Sequence, residues 1–470
     1  MHGMAPAARS AWGAEIRAMA ALAWPIALTN LSQMAMIATD IALLGRVSPE
    51  AMAGATIGGN LFYLFFPLTF GVAMATAPML AQARGRKLHS VREMRRTVRQ
   101  GMWACVLVCA LTWPVLWHAG ALLRLLGQSA EIAALGQVYV RALMWEMLPF
   151  GFYMVLRGFL AALERPLPAL AVALVAVALN ALIAWVLIFG HFGFPALGVA
   201  GAGYASALSG CVLFAGLLAV ISLDRRLRRF RLLGRFWRSD FRRLAEIFRL
   251  GLPISAAFLF EISVFNAAAF MMGWISTAAV AAHAVAINLA SLTFMVPMGL
   301  SQAATARVGI AAGAGDPAGA GRAGWVAIGL AAGFMTCTAA TMIFAPHLLI
   351  GIFVDTADPR AAEVATLAGQ FLLLAGLFQI ADGLQTTAAG ALRGLYDTRM
   401  PMIYAGLGYW GMGLPLALAL AFGADFAGRG VWLGLLAGLV VVATLMVARW
   451  ARRDRLALAA AGRSVQPELA

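Results

Sequence analysis

Four carboxylates interrupt the long apolar runs of this chain: Asp40, Glu146, Glu261 and Asp382. The other acidic residues mostly sit in polar connections or near the ends of those runs. A carboxylate in hydrocarbon costs about 3 kcal/mol even on the most permissive insertion scale, and it needs a proton or a cation to neutralise it. That is the property required of a proton or sodium carrier. Glu261 shows it most clearly, lying among apolar residues between Phe258 and Phe265. Asp382 shares one helical face with Gln379, Gln385 and Thr386. A stripe of oxygen-bearing groups suits a desolvated cation; its alternative use is to join two helices by hydrogen bonds. Asp40 has Gln33 two turns before it on the same face and precedes a helix end at Gly45 and Arg46, where an interfacial role competes. Glu146 follows Arg141 by five residues, a poor spacing for a same-helix pair, and a structural role is expected for both. Arg157 is expected to snorkel to the interface.

The neutral polar residues Asn60, Asn180, Asn266, Asn288 and Gln302 are expected to hold helices together. Gln33, Asn180, Gln379, Gln385 and Thr386 are the candidates for lining a substrate cavity. Methionine and phenylalanine are abundant, and such adaptable apolar surfaces suit bulky, variable substrates. Aromatic faces also attract organic cations.

Other chemistries lack their residues. A Walker A loop needs lysine after glycine, whereas the single lysine, Lys87, follows Arg86. No ATP drive is expected. No histidine is followed by glutamate, which removes the HExxH zinc site. The nearest approach to a nucleophile elbow, Gly299 to Ala303 around Ser301, lies in an apolar helix. Cys105, Cys109, Cys211 and Cys337 all fall in apolar runs without metal-site spacing. No cofactor and no enzymatic activity are expected.

These residues must be positioned by membrane helices. Of 470 residues, 62% are hydrophobic and 12% charged, which leaves too little charge for a water-soluble surface. Apolar runs recur at 18–44, 51–83, 98–120, 134–160, 167–191, 198–222, 247–275, 279–311, 322–352, 362–392, 401–423 and 428–450. Twelve transmembrane helices in an all-α fold are expected. No cleaved signal peptide is expected.

The net charge of +15 is concentrated in short clusters between the runs. Seven basic residues crowd 84–99 and nine crowd 224–246, Arg235 among them, while Arg452, Arg453 and Arg455 follow the last run. The opposite side holds only Arg46, Arg124, Arg360 and Arg429. The asymmetry predicts both termini in the cytoplasm and explains the basic charge without nucleic acid. The Arg-rich, Ala-rich usage points to a GC-rich genome, and a bacterial inner membrane is the expected location.

A shift of 228 residues aligns two stretches of the chain. Pro25 falls on Pro253, Gly45 on Gly273, Ser48 on Ser276, Asn60 on Asn288, Phe66 on Phe294 and Gly71 on Gly299. Two six-helix halves follow, 1–223 and 247–470, the second with a short polar tail. They are joined by the basic connection 224–246, a polar cytoplasmic segment or surface helix. An even number of helices gives parallel repeats about an axis along the membrane normal, an architecture of secondary transporters.

Several stretches carry a resemblance. They are Asp40 to Arg46, Val280 to Asn288 with His283, Leu156 to Leu160 before Arg165 and Pro166, and Gly390 to Pro401 through Arg393 and Asp397. In this order they resemble the multidrug and toxic compound extrusion (MATE) family, in its NorM-type branch, from about Trp24 through the last run. The resemblance implies two six-helix lobes and antiport of cationic, amphiphilic drugs against sodium ions or protons. It implies that Glu261 and Asp382 bind the coupling ion, and are its ligands if it is sodium. It implies a coupling role for Asp40, accompanied by Asn180. Family members often carry glutamine after the histidine of the eighth span, where this chain has Ala284.

The expected protein is thus a secondary active antiporter acting as a monomer in the lipid bilayer on small organic cations or amphiphilic drugs. A lipid-linked oligosaccharide flippase of the same superfamily is the alternative; its anionic cargo requires basic residues inside the spans, where only Arg141 is expected. An intramembrane enzyme lacks a nucleophile–base pair, and an envelope assembly protein has no use for central acids.

Overall fold

A computed structural model describes residues 6–456 apart from Leu88, Arg235, Ser239 and 354–361. Arg235, Arg360 and the tail beyond 456 therefore lie outside the described residues. Among the described residues eleven helices are long and apolar enough to cross a membrane. They are α1 (Pro6–Leu44), α2 (Pro49–Arg86), α3 (Ser90–Trp117), α5 (Leu167–Phe189), α6 (Val199–Leu223), α7 (Phe241–Ile275), α8 (Thr277–Gly313), α9 (Pro317–Phe344), α10 (Ala362–Gly394), α11 (Arg399–Gly423) and α12 (Ala427–Ala451). The twelfth crossing, α4, is made in two pieces, Ala130–Leu143 and Met147–Ala162. The fold is all-α, as expected, with about twelve transmembrane helices in two lobes.

Three runs differ from their expected form. The run 134–160 is broken by a 3-10 turn at Met144–Glu146. Pro149 lacks the N–H that would bond the Trp145 carbonyl. The Trp113 indole donates to the Met144 carbonyl at 2.9 Å and so occupies another backbone acceptor at the break. The run 322–352 ends as a continuous helix at Phe344, because Pro346 excludes helical geometry from the residue before it. Ala345 accordingly has φ −131° and ψ 45°, and a short helix, Pro346–Ile350, follows. In α11 the turns widen to π geometry over Gly406–Gly413 and Ala419–Gly423.

The basic connection forms one helical turn, Arg225–Arg228, in place of a longer surface helix. The following segment is held by α3 through its backbone carbonyls. Arg95 donates to Phe230 O at 2.6 Å, Arg99 to Gly234 O at 2.9 Å, Trp103 to Phe236 O at 3.0 Å and Gln100 to Arg238 O at 3.1 Å. Arg96 pairs with Asp240. Side chains of α3 thus supply donors that a surface helix would have supplied from its own backbone.

The chain divides into two compact units. The first comprises Leu28–Ala256; the second combines the residues up to Ala27 with those from Ala257 onward. Helices α1 and α7 therefore each contribute to both units, changing over just after the repeat-related Pro25 and Pro253. In the first unit Gly71 of α2 packs on Ser255 of α7, where an added Cβ would lie 2.7 Å from Ser255 Cα. In the second unit Gly299 of α8 packs on Ala27 of α1, where an added Cβ would lie 2.9 Å from Ala27 Cα. Gly71 and Gly299 are repeat partners, as are Ala27 and Ser255.

The repeat also governs helix starts. Ser48 and Ser276 have nearly the same extended geometry, φ −165° and −168°, and each accepts from the backbone N–H three residues on at 3.0 Å. Capping oxygens of this kind contribute about 1 kcal/mol each. Ser48→Ala and Ser276→Ala are each expected to lower the melting midpoint of the detergent-solubilised protein. The double variant should show the sum of the two shifts, since each serine caps its own helix. A shift in the double variant no larger than in one single would contradict independent caps.

Candidate functional site

In the second unit, α10 presents its polar stripe inward. Gln379, Asp382, Gln385 and Thr386 are all buried. Thr293 of α8 donates to Gln379 Oε1 at 2.8 Å, and Gln385 donates to Thr386 Oγ1 at 3.2 Å. Ser301 of α8 donates to the Thr386 carbonyl at 2.7 Å, and Thr305 to the Gly390 carbonyl at 2.8 Å. The joining use considered for the stripe is visible in these α8–α10 bonds, while Asp382 Oδ1 has no hydrogen-bond partner among the described residues.

Glu261 of α7 is half-buried and lies within electrostatic reach of Asp382 and of Arg393. The structure therefore brings together the two acids that the sequence singled out in this half. Arg393 is buried, donates to Ser301 Oγ at 3.3 Å and stands 6.0 Å from the centre of the Phe258 ring. Tyr409, in the widened part of α11, feels both carboxylates, and its buried hydroxyl has no hydrogen-bond partner. The sequence reading missed Arg393 and Tyr409. Arg393 follows Asp382 by eleven residues, just over three turns, and that spacing would have placed it on the same face.

In the first unit Asp40 is 3% exposed. Ser206 of α6 donates to its Oδ2 at 2.5 Å, while Oδ1 has no hydrogen-bond partner. Asn180 of α5, fully buried, stands beside it and interacts with its carboxylate. Asp40 faces a cavity of about 230 Å³ that Gln33, Asn60, Glu146 and Ser206 also line. Glu146, expected to be structural, sits in the break of α4 and lines the same cavity as Asp40.

Of the arginines of α4, one departs from its expected role. Arg157 does not snorkel; it is 4% exposed and donates to Asn30 Oδ1 at 2.6 Å. A polar partner on the adjacent helix replaces the water that snorkelling would have reached. Arg141 lies in the last turn of the first piece of α4, donating to the Trp117 carbonyl at 2.9 Å with its guanidinium 4.6 Å from the Trp117 ring centre. Asn266 and Asn288 donate to carbonyls of their own helices, at Ile262 and Ala284, in place of joining helices.

Comparison with known proteins agrees with this architecture. The MatE family model matches residues 25–186 and 253–419. A probable multidrug resistance protein NorM of Mesorhizobium japonicum is 52% identical over 96% of this chain and 97% of its own. One of the same name from Brucella suis is 48% identical over 94% of each chain. Among solved structures, the eukaryotic MATE transporter AtDTX14 superposes with a TM-score of 0.86 at 22% identity, covering 97% of this chain and 100% of its own. A point mutant of the Vibrio cholerae MATE transporter VcmN gives 0.83 at 17% identity, over 96% and 99%. With two helical lobes, paired acids in each and relatives of this similarity along nearly the whole length, the chain belongs to the MATE family of multidrug efflux transporters.

Proposed function

We propose that the protein exports organic cations and amphiphilic drugs by antiport against sodium ions or protons. The observation that carries this reading is the meeting of Glu261 and Asp382 inside one unit, beside Tyr409 and Arg393. Two acids in a low-dielectric setting repel each other unless something positive lies between or near them. Arg393 offsets part of that charge, and a proton or sodium ion supplies the rest. Asp382 Oδ1, without a hydrogen-bond partner, is the oxygen free to take it. Asp40 serves the same end in the first unit.

Export requires that the ion bind one state of the transporter more tightly than the other. The ion entering at Glu261 and Asp382 and the drug cation then compete for the same negative charge. The basic clusters support a cytoplasmic side for both termini, and in this reading the driving ion enters from the outer face of a bacterial inner membrane. The anionic-cargo reading finds no support around the first unit's cavity, whose lining among the described residues holds no arginine, lysine or histidine. Arg393, a buried base of the second unit, is engaged with Glu261 and Ser301.

The test is efflux of ethidium from loaded cells. Sodium is varied at fixed pH, then pH at fixed sodium. Efflux above that of vector cells that follows one gradient identifies the coupling ion. Retention equal to vector cells under every gradient, with the protein present in the membrane, overturns the proposal.

A further inference from the structure

We infer that the cavity of the first unit is a two-carboxylate site for organic dications, with Glu146 as the second anionic contact. The inference deepens the proposed export of organic cations and rests on that reading. Asp40 comes from α1 and Glu146 from the 3-10 turn in α4, so the two acids approach the cavity from different helices. Each has oxygen left for a ligand. Asp40 is 97% buried by its 3% exposure, yet Ser206 engages only one of its oxygens. Glu146 is half-buried and accepts no hydrogen bond from the described residues.

Among the described residues nothing basic lines this space, so they do not balance the pair. A net charge inside the membrane is costly, and the acids must be offset by protons or by cationic centres of a ligand. A dication offsets both at once. A monocation offsets one and leaves the second acid to take a proton.

The walls fit the same class of ligand. Tyr63, Phe66, Phe70 and Phe150 face the cavity. Phe66 packs on Phe70 with ring centres 6.1 Å apart and on Phe150 at 5.2 Å, which orders the wall. Aromatic faces hold quaternary nitrogen by cation–π attraction without a hydrogen-bond donor on the ligand. The site therefore suits molecules carrying two permanent positive charges on an aromatic or aliphatic frame.

The experiment uses a bis-quaternary bipyridinium and its mono-quaternary analogue. Binding to the purified, detergent-solubilised full chain is measured by calorimetry for wild type, Glu146→Gln and Glu146→Asp, and efflux of both probes is followed in cells. Glu146→Gln should weaken binding of the dication by about tenfold or more, the scale of one desolvated charge pair. Binding of the monocation should change by less than about twofold, and Glu146→Asp should recover much of the dication binding. The inference is overturned if Glu146→Gln weakens both probes alike, if it changes neither, or if wild-type protein binds neither probe. Selective dication binding without efflux in cells would instead overturn the proposed export and leave this site standing.

Discussion

Asp382→Asn is expected to reduce efflux of a fluorescent organic cation to the level of cells lacking the protein, with membrane abundance unchanged. Asparagine keeps the shape and can still stand beside Gln385 at the α8–α10 contact. The stitching of that contact does not run through the carboxylate, because Ser301 and Thr305 bond to backbone carbonyls of Thr386 and Gly390. What is lost is the anionic oxygen available to the coupling ion. A hydrogen bond or ion contact to a charged group contributes about 1.5–3 kcal/mol, or roughly a tenfold to hundredfold change in ion affinity. Coupling depends on that affinity differing between states, so the driven flux should fall at least in proportion. Glu261→Gln should act in the same direction. Wild-type efflux rates in Asp382→Asn, measured under the gradient that drives the parent, would remove Asp382 from the coupling step.

Gly390→Val should have the largest effect on the folded state. Gly390 lies on α10 two turns beyond Asp382, and a Cβ there would meet the backbone carbonyl and hydroxyl of Ser301 on α8. Neither α8 nor α10 offers a flexible side chain to yield at this point. The helices would have to separate, breaking the bonds from Ser301 to Thr386 and from Thr305 to Gly390. Overpacking costs about 1–3 kcal/mol and each lost buried hydrogen bond about 1 kcal/mol more, for a total of about 3–5 kcal/mol. Gly333→Val is the control, because Gly333 on α9 has no neighbour in the way of a Cβ. In detergent, size-exclusion profiles and melting curves should show Gly390→Val aggregated or strongly destabilised and Gly333→Val close to wild type. Equal melting midpoints for the two variants would mean that the α8–α10 contact has room the structure does not show.

The parts of the site legible in the sequence are those that depend on local context alone. Glu261 stands out because every residue for a turn and more before it is apolar. Asp382 stands out because Gln379, Gln385 and Thr386 recur at helical spacing around it. The count of crossings follows from apolar runs for the same reason. Glu146 is not legible as a cavity residue. Its exposure depends on a break in α4, and that break depends jointly on Pro149 and on a tryptophan thirty-one residues earlier in the chain than the Met144 carbonyl it engages. Arg157 and Arg393 each read as an arginine near the end of a run. Their burial depends on Asn30 of another helix in one case and on Ser301 and Glu261 in the other. Sequence periodicity shows which face of a helix is polar, but not which partner waits across it.

The crossing-over of α1 and α7 between the two units bears on how such a chain could have arisen. A single six-helix ancestor, folded alone, would have carried both the beginning of its first helix and the glycine against which that segment packs. Yet here Gly299 receives Ala27 from the other half, and Gly71 receives Ser255 from the other half. In a pair of separate ancestral copies the same contacts would be a reciprocal domain swap, each copy lending the other the first segment of its first helix. Gene duplication and fusion would then have turned an exchange between two molecules into an exchange within one. Present-day halves expressed as separate polypeptides should be unable to complete their own cores, and should be recovered folded only when made together.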